Sequence, residues 1–153
     1  MKKASTQLSN TPDRSYEAFL QTVRPIALGL VECVSKLDRA TYAGFQGAKD
    51  DSVRILSSEY ELTELGKGCF DAAGTFTLAV AQTAKSEPAL KVQCKFEAHF
   101  HCKAPLEKKL AERFVASELR LVLWPYFREL VSNITAKMAI QPITIPLVRR
   151  EAD

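Results

Sequence analysis

The sequence of 153 residues contains no long hydrophobic run. A membrane-spanning helix needs roughly 18 consecutive apolar residues, and no stretch of this chain approaches that length. Residues 1–7 are basic and then polar, whereas a secretory signal peptide needs an apolar core after its basic start. We therefore predict a soluble, cytoplasmic protein that is not inserted into a membrane.

The motifs of the common enzyme classes are also missing. A Ser-His or Cys-His catalytic unit would depend on one of only two histidines, His99 and His101, and no nucleophile stands in a recognisable elbow. No glycine-rich phosphate loop is present. The two histidines lie two residues apart, but a structural zinc site needs four ligands, and Cys102 falls on the opposite side of a predicted strand. We predict that the protein is not an enzyme and that it holds no metal and no cofactor.

Cysteine usage is typical of a reducing compartment. The four cysteines have wide, irregular spacings without a Cys-x-x-Cys motif, which predicts four buried or half-buried thiols: Cys33, Cys69, Cys94 and Cys102. The length suits a single domain with its own core. We place this domain at residues 14–153 and predict that the polar residues 1–13 form a flexible N-terminal tail.

Alternating hydrophobic residues predict four strands. The clearest pattern runs from Leu90 to Cys102, where apolar residues occupy one face and charged or polar residues the other. Less regular alternation predicts strands within 28–34, 53–62 and 70–81. The first of these runs could also be a helix, because short apolar runs do not distinguish the two structures.

A helical period replaces the alternation after the fourth strand. It predicts one long helix over 106–138, which Pro125 should break, kink or restart, because proline lacks an amide hydrogen and crowds the preceding turn. A short helical turn is also predicted at 16–23, and Pro142 and Pro146 predict an extended segment near the C-terminus. The predicted fold class is α+β, with a four-stranded antiparallel sheet and a long, Pro-interrupted C-terminal helix packed on one face.

The middle of this helix carries a motif of a known family. The segment Leu123-Trp124-Pro125-Tyr126-Phe127-Arg128-Glu129 resembles the signature of the SecB protein-export chaperones, in which an aromatic-Pro-Tyr-x-Arg-Glu segment leads into the main helix. The segment 143–147 resembles the Pro-containing extended segment that follows the helix in that family. The order of elements is similar from Leu28 to Leu147: a strand, an aromatic-bearing crossover loop, three strands and a helix.

The resemblance implies a molecular chaperone that holds unfolded polypeptides and assembles as a homotetramer, a dimer of dimers with two eight-stranded sheets. In the family, pre-proteins are passed to the SecA motor. This chain is basic where the family is acidic, and it ends at Asp153 without the family's last helix and acidic tail. We therefore expect weak or no SecA binding, and clients that are pre-proteins or the antitoxin of a toxin–antitoxin system.

Client binding requires apolar surface that the core does not use. We predict six client-binding residues: Tyr42, Phe45, Val53, Ile55, Trp124 and Tyr126. Tyr42 and Phe45 lie in a glycine-containing connector, where the family also uses an aromatic residue, although the two rings could instead pack as a lid over the core. Successive helical residues point about 100° apart, so Phe127 is assigned to the core and one of Trp124 and Tyr126 to a groove or subunit contact.

Two other functions stay open at this point. Lys91, Lys95 and Lys103 make the polar face of the fourth strand basic, which could serve a nucleic-acid-binding or other interaction module. That face carries no stacking aromatics besides the histidines, and the net charge of +3 is small, so our leading interpretation includes no nucleic acid. A carrier for a small apolar ligand would need a closed pocket.

Overall fold

One antiparallel sheet organises the part of the chain that the computed structural model describes, residues 14–45 and 52–148. The elements are α1 (Arg14–Thr22), β1 (Val23–Leu37), α2 (Arg39–Phe45), β2 (Val53–Leu65), β3 (Cys69–Ala81), β4 (Leu90–Cys102), α3 (Lys108–Ser117) and α4 (Leu119–Lys137). The strand order is β1-β4-β3-β2, and every neighbouring pair is antiparallel. The predicted α+β fold class is confirmed, whereas the predicted N-terminal tail lies outside the described residues.

Strand β4 defines the two faces of the sheet. Its buried residues alternate with exposed or half-buried ones over its whole length, as the sequence pattern predicts. We call the face with the buried residues the inner face and the opposite face the outer face. Directly paired residues of antiparallel strands project from the same face, so the register also places Phe70 and Phe76 of β3 on the inner face, opposite Phe100 and Cys94.

The core forms where α4 packs on the inner face of β3 and β4. The rings of Phe76 and Phe127 are stacked with centroids 4.9 Å apart, and both residues are fully buried. Gly74 allows this close approach, because a Cβ atom there would lie 2.6 Å from Cδ1 of Leu123. The aromatic packing therefore anchors α4 over the two central strands.

The helical region breaks at Glu118, and the predicted break at Pro125 is wrong. Ser117 ends α3, and its hydroxyl donates to the Arg113 carbonyl (2.7 Å), a bond that tends to bend helices. The same hydroxyl lies 3.0 Å from Oη of Tyr16 in α1. Pro125 lies inside α4 at an exposed position, and the helix continues through it to Lys137, although proline cannot donate to the Leu121 carbonyl.

Strand β1 is an edge strand that the helices leave largely uncovered. It covers more residues than the predicted 28–34 and resolves the ambiguity there in favour of a strand. Its exposed apolar residues include Ile26, Leu30, Val31 and Val34. Such an edge, with apolar side chains beside it, is a surface on which another chain can pair.

The position of β1 also explains the one cysteine that departs from prediction. Cys94 and Cys102 are buried and Cys69 is half-buried, but Cys33 on β1 is exposed. Its sulfur lies 3.5 Å from that of Cys94, its partner in the sheet register. Burial raises the pKa of the Cys94 thiol, and the neighbouring Cys33 raises it further.

Two adjacent aromatic residues of α4 test the packing. We expect Phe127→Ala to lower the free energy of unfolding by about 3–5 kcal/mol, because it removes a fully buried ring. Tyr126→Ala is the matched control, and since Tyr126 is 48% exposed in the protomer, the change should stay below about 1 kcal/mol at a concentration that keeps the protein monomeric. The measurement is chemical denaturation followed by circular dichroism at one protein concentration. Equal losses in the two variants would contradict this assignment of the core.

Candidate functional site

A groove of about 700 Å³ opens on the inner side of β2, and we call it the β2 groove. Its walls come from three parts of the chain: α2, the start of β2, and the segment that follows α4. The residues that line it are Tyr42, Phe45, Ser52, Arg54, Val80, Ala139, Ile140, Gln141, Pro142, Ile143 and Thr144. Its size and open form suit a segment of polypeptide better than an enclosed small molecule.

Helix α2 positions the two aromatic residues of the groove. The predicted connector between the first two strands is helical as far as Phe45, and residues 46–51 lie outside the described residues. Asp38 caps the helix, since it accepts hydrogen bonds from the amide and the hydroxyl of Thr41 (3.1 and 2.7 Å). These bonds lower the pKa of the Asp38 carboxyl. Tyr42 and Phe45 lie edge to face, with centroids 6.3 Å apart.

Both aromatic residues are half-buried and serve two surfaces. One side of each ring packs against the core cluster, and each residue also lines the β2 groove. The two interpretations of Tyr42 and Phe45, as a lid and as a contact surface, are therefore compatible.

The opposite wall is an extended segment, residues 139–146, held by side chains of α4. Thr135 accepts a hydrogen bond from the Ile143 amide (3.0 Å) and donates one to the Val131 carbonyl (2.8 Å). Ile143 and Ile145 are buried between exposed neighbours, as in a strand with one dry side. Hydrogen bonds to α4 hold the segment 139–146 in place, although it is not part of the sheet.

The chain reverses sharply between α4 and this wall. Ala139 has a φ of 56°, a left-handed conformation that is uncommon for a residue other than glycine. The amides of Met138, Ala139 and Ile140 bond to carbonyls of the last turn of α4. The C-terminus of α4 is thereby closed, and Ile140 is brought to the groove.

Strand β2 presents other residues to the groove than predicted. The register pairs Arg54 with Val80 and Leu56 with Leu78, so Arg54 and Leu56 project from the inner face. Val53 and Ile55 project from the outer face, and the prediction that they line this groove is wrong. Val53 and Ile55 were candidates for the groove only because they are apolar residues of the second strand. The pairing register that decides the face cannot be read from β2 itself.

Trp124 and Tyr126 occupy different environments. Trp124 is only 6% exposed, and its indole nitrogen donates to the Pro146 carbonyl (2.8 Å), so it belongs to the core and supports the wall of the β2 groove. Of the two alternatives, Trp124 is therefore the core residue and Tyr126 the one at a groove. Tyr126 lines a second groove of about 280 Å³ with Leu28, Leu30 and Leu130. We call this second site, between α4 and β1, the β1 groove.

The outer face of β4 has a mixed charge. Lys95 pairs with Glu61 at 3.1 Å, and Nδ1 of His99 hydrogen-bonds to Oδ1 of Asp71. Across the described ranges there is no group of three or more His, Cys, Asp or Glu side chains that could hold a metal ion. In the same ranges no helix is both long and apolar enough to cross a membrane.

Known proteins resemble this chain in structure and not detectably in sequence. No family model matches the chain, and no curated protein matches it by sequence. The SecB-like chaperone Rv1957 of Mycobacterium tuberculosis was solved in complex with a ChAD peptide from the Rv1956 HigA1 antitoxin. It aligns with a TM-score of 0.73 and 20% identity, over 90% of this chain and 99% of that one.

A more distant structural match is a protein of unknown function from Streptococcus agalactiae. It aligns with a TM-score of 0.49 and 9% identity, over 82% of this chain and 97% of that one. At 20% identity, the likeness to the mycobacterial protein establishes fold. The order of strands and helices implied by the motif at 123–129 is confirmed, and the chain has the SecB-like fold.

Proposed function

We propose that this protein is a holdase, a chaperone that binds unfolded polypeptides through the β2 groove without performing chemistry on them. The observation that carries the proposal is the placement of Tyr42 and Phe45, two half-buried aromatic residues that line an open groove beside the core. Ligand sites commonly combine aromatic side chains with a few polar groups, and this groove combines Tyr42 and Phe45 with Ser52, Arg54 and Gln141. The SecB-like fold, found in a mycobacterial chaperone bound to an antitoxin peptide, supports the proposal.

The form of the groove favours an extended client. On one side lies β2, an edge strand of the sheet, and on the other the extended segment 139–146. An extended peptide can add to an edge strand by main-chain hydrogen bonds and place alternate side chains in pockets. Such binding tolerates many sequences, because the main chain supplies much of the contact.

The chemistry of the side chains supports a function other than catalysis. Among the described residues, the hydrogen-bond partner found for His99 is Asp71, a carboxylate rather than a serine, threonine or cysteine nucleophile. A nucleophile and a base would have to contact each other in a catalytic unit. We therefore propose that the protein acts by binding alone.

We propose that the protein is cytoplasmic and that its client is a polypeptide of the same cell, either a pre-protein or the antitoxin of a toxin–antitoxin system. The antitoxin peptide bound by the mycobacterial protein supports the second choice. We further propose that SecA binds weakly or not at all. Lys91 is exposed on the outer face of β4, and Lys103 is exposed just after the end of that strand. A basic partner surface that binds acidic chaperones would meet like charge there.

We also propose a homotetramer. The apolar side chains of β1 and the β1 groove at Tyr126 leave one edge of the molecule uncovered. Pairing of two β1 strands would extend the sheet across two protomers, and association of such dimers would cover the helical side. Closed symmetric assembly is the usual way in which surfaces of this kind are buried.

Light scattering coupled to size-exclusion chromatography tests the assembly. At micromolar concentration we expect a mass of four times the 17.0 kDa protomer. Val31→Lys combined with Val34→Lys should shift the population towards smaller species, because both changes place charge on the exposed surface of β1. A monomer at this concentration in the unchanged protein would contradict the proposal.

Suppression of aggregation tests the holdase function. The protein should delay aggregation of a denatured globular protein that is diluted out of guanidinium chloride. Tyr42→Ala with Phe45→Ala should weaken capture per folded protein about tenfold, because contacts with the client are lost. The melting temperature should fall less than in Phe127→Ala, because both rings are only half-buried against the core. Val53→Ala, on the outer face, is the matched control and should leave capture unchanged. If the aromatic variants unfolded while their folded fraction captured normally, the two rings would belong to the core alone.

A further inference from the structure

Arg54 occupies an unusual position in the β2 groove. It projects from the inner face of β2, opposite Val80, which is buried in the core. The other groove-lining residues among those described are uncharged. Arg54 is therefore the single charge that the described lining offers to a bound chain.

This charge has no counterion within the described ranges. The ion pairs found there join Lys95 to Glu61, His99 to Asp71 and Lys108 to Glu112, and none includes Arg54. Among the described residues, no ion pair takes up the guanidinium, so with respect to ion pairing its hydrogen-bond donors are open to a ligand.

A carboxylate is the ligand group that complements this site. Guanidinium donors form a planar fork that binds a carboxylate through two parallel hydrogen bonds, and such charge-assisted bonds are stronger than neutral ones. The aromatic residues Tyr42 and Phe45 line the same groove and suit an apolar side chain. A client with both groups a few residues apart would satisfy both contacts.

We propose that Arg54 is a specificity-determining residue that favours client segments carrying a carboxylate a few residues from an aromatic or aliphatic side chain. This inference rests on the holdase function proposed above and adds the chemical class of client. A role in client binding accounts for a charged residue on the inner face of β2. The next residue on that face, Leu56, is apolar. An alternative role for an inward-pointing charge is to prevent edge-to-edge aggregation of β2.

Peptide binding measured by fluorescence anisotropy separates these roles. The probes are fluorescently labelled, N-acetylated peptides of glycine and serine that carry one phenylalanine and one leucine, followed by glutamate or glutamine. Both have an amidated C-terminus. A third peptide combines glutamine with a free C-terminus, so that a side-chain carboxylate is distinguished from a terminal one. The proteins are the unchanged chain, Arg54→Gln, Arg54→Lys and the control Arg24→Gln on β1, at the opposite edge of the sheet.

We expect the unchanged protein to bind the glutamate peptide about three- to tenfold more tightly than the amidated glutamine peptide at low salt. Arg54→Gln should abolish this preference, Arg54→Lys should keep part of it, and Arg24→Gln should keep all of it. Added salt should reduce the preference, because the groove is open to solvent. Tight binding of only the peptide with a free C-terminus would reassign the carboxylate to a chain end and still support Arg54 as its ligand.

The contrary outcomes are distinct. Equal binding of all three peptides to the unchanged protein would overturn the role of Arg54 and leave the holdase function intact. Aggregation of Arg54→Gln with an unchanged glutamate preference would assign Arg54 to edge protection and overturn the inference. No binding of any peptide to the unchanged protein, together with no suppression of aggregation, would overturn the proposed function and this inference with it.

Discussion

The structure depends on one geometric constraint, the mismatch in width between helix α4 and a four-stranded sheet that α3 and α1 cover only in part. A helix with its side chains is about 10–12 Å wide, whereas strands lie about 4.8 Å apart. Helix α4 therefore covers about two strands, and the stacking of Phe127 on Phe76 fixes it over β3 and β4. Parts of the inner faces of β1 and β2 stay open, and both grooves lie there.

The same helix also builds the groove that it leaves open. Thr135, Trp124 and Arg128 hold the segment 139–146 through hydrogen bonds to Ile143, Pro146 and Ile145. This segment is a wall of the β2 groove, so the residues that anchor α4 to the core also shape the proposed binding surface. Changes in packing at α4 should therefore reach the groove without any contact to the client. Half-buried aromatic residues on α2 complete the opposite side.

The sequence predicts much of the fold, because its strongest patterns are local. Alternation from Leu90 to Cys102 predicts the whole of β4, with both faces correctly assigned. The helix break could not be predicted in the same way. Pro125 is a local signal, whereas the bend at Glu118 involves Ser117 and its contact with Tyr16, 101 residues away. The apolar run that contains Cys33 left strand and helix open, and the exposure of Cys33 depends on the place of β1 at the edge of the sheet.

The candidate site was predictable in part, for a related reason. The aromatic character of Tyr42 and Phe45 is unusual for a connector, and this local signal led to residues that line the groove. Arg54 was missed because its face depends on its pairing with Val80, a contact between strands. Trp124 was placed on the surface because its burial depends on Pro146, 22 residues further along the chain.

Hydrogen–deuterium exchange of the protein with and without a bound unfolded polypeptide tests the central claim most directly. A reduced and alkylated polypeptide that cannot refold is a suitable client. If the β2 groove holds the client, amide protection should increase in residues 52–56 and 139–144, which form two of its walls. Protection confined to the outer face of β4, or no change in either groove segment during binding, would contradict the account.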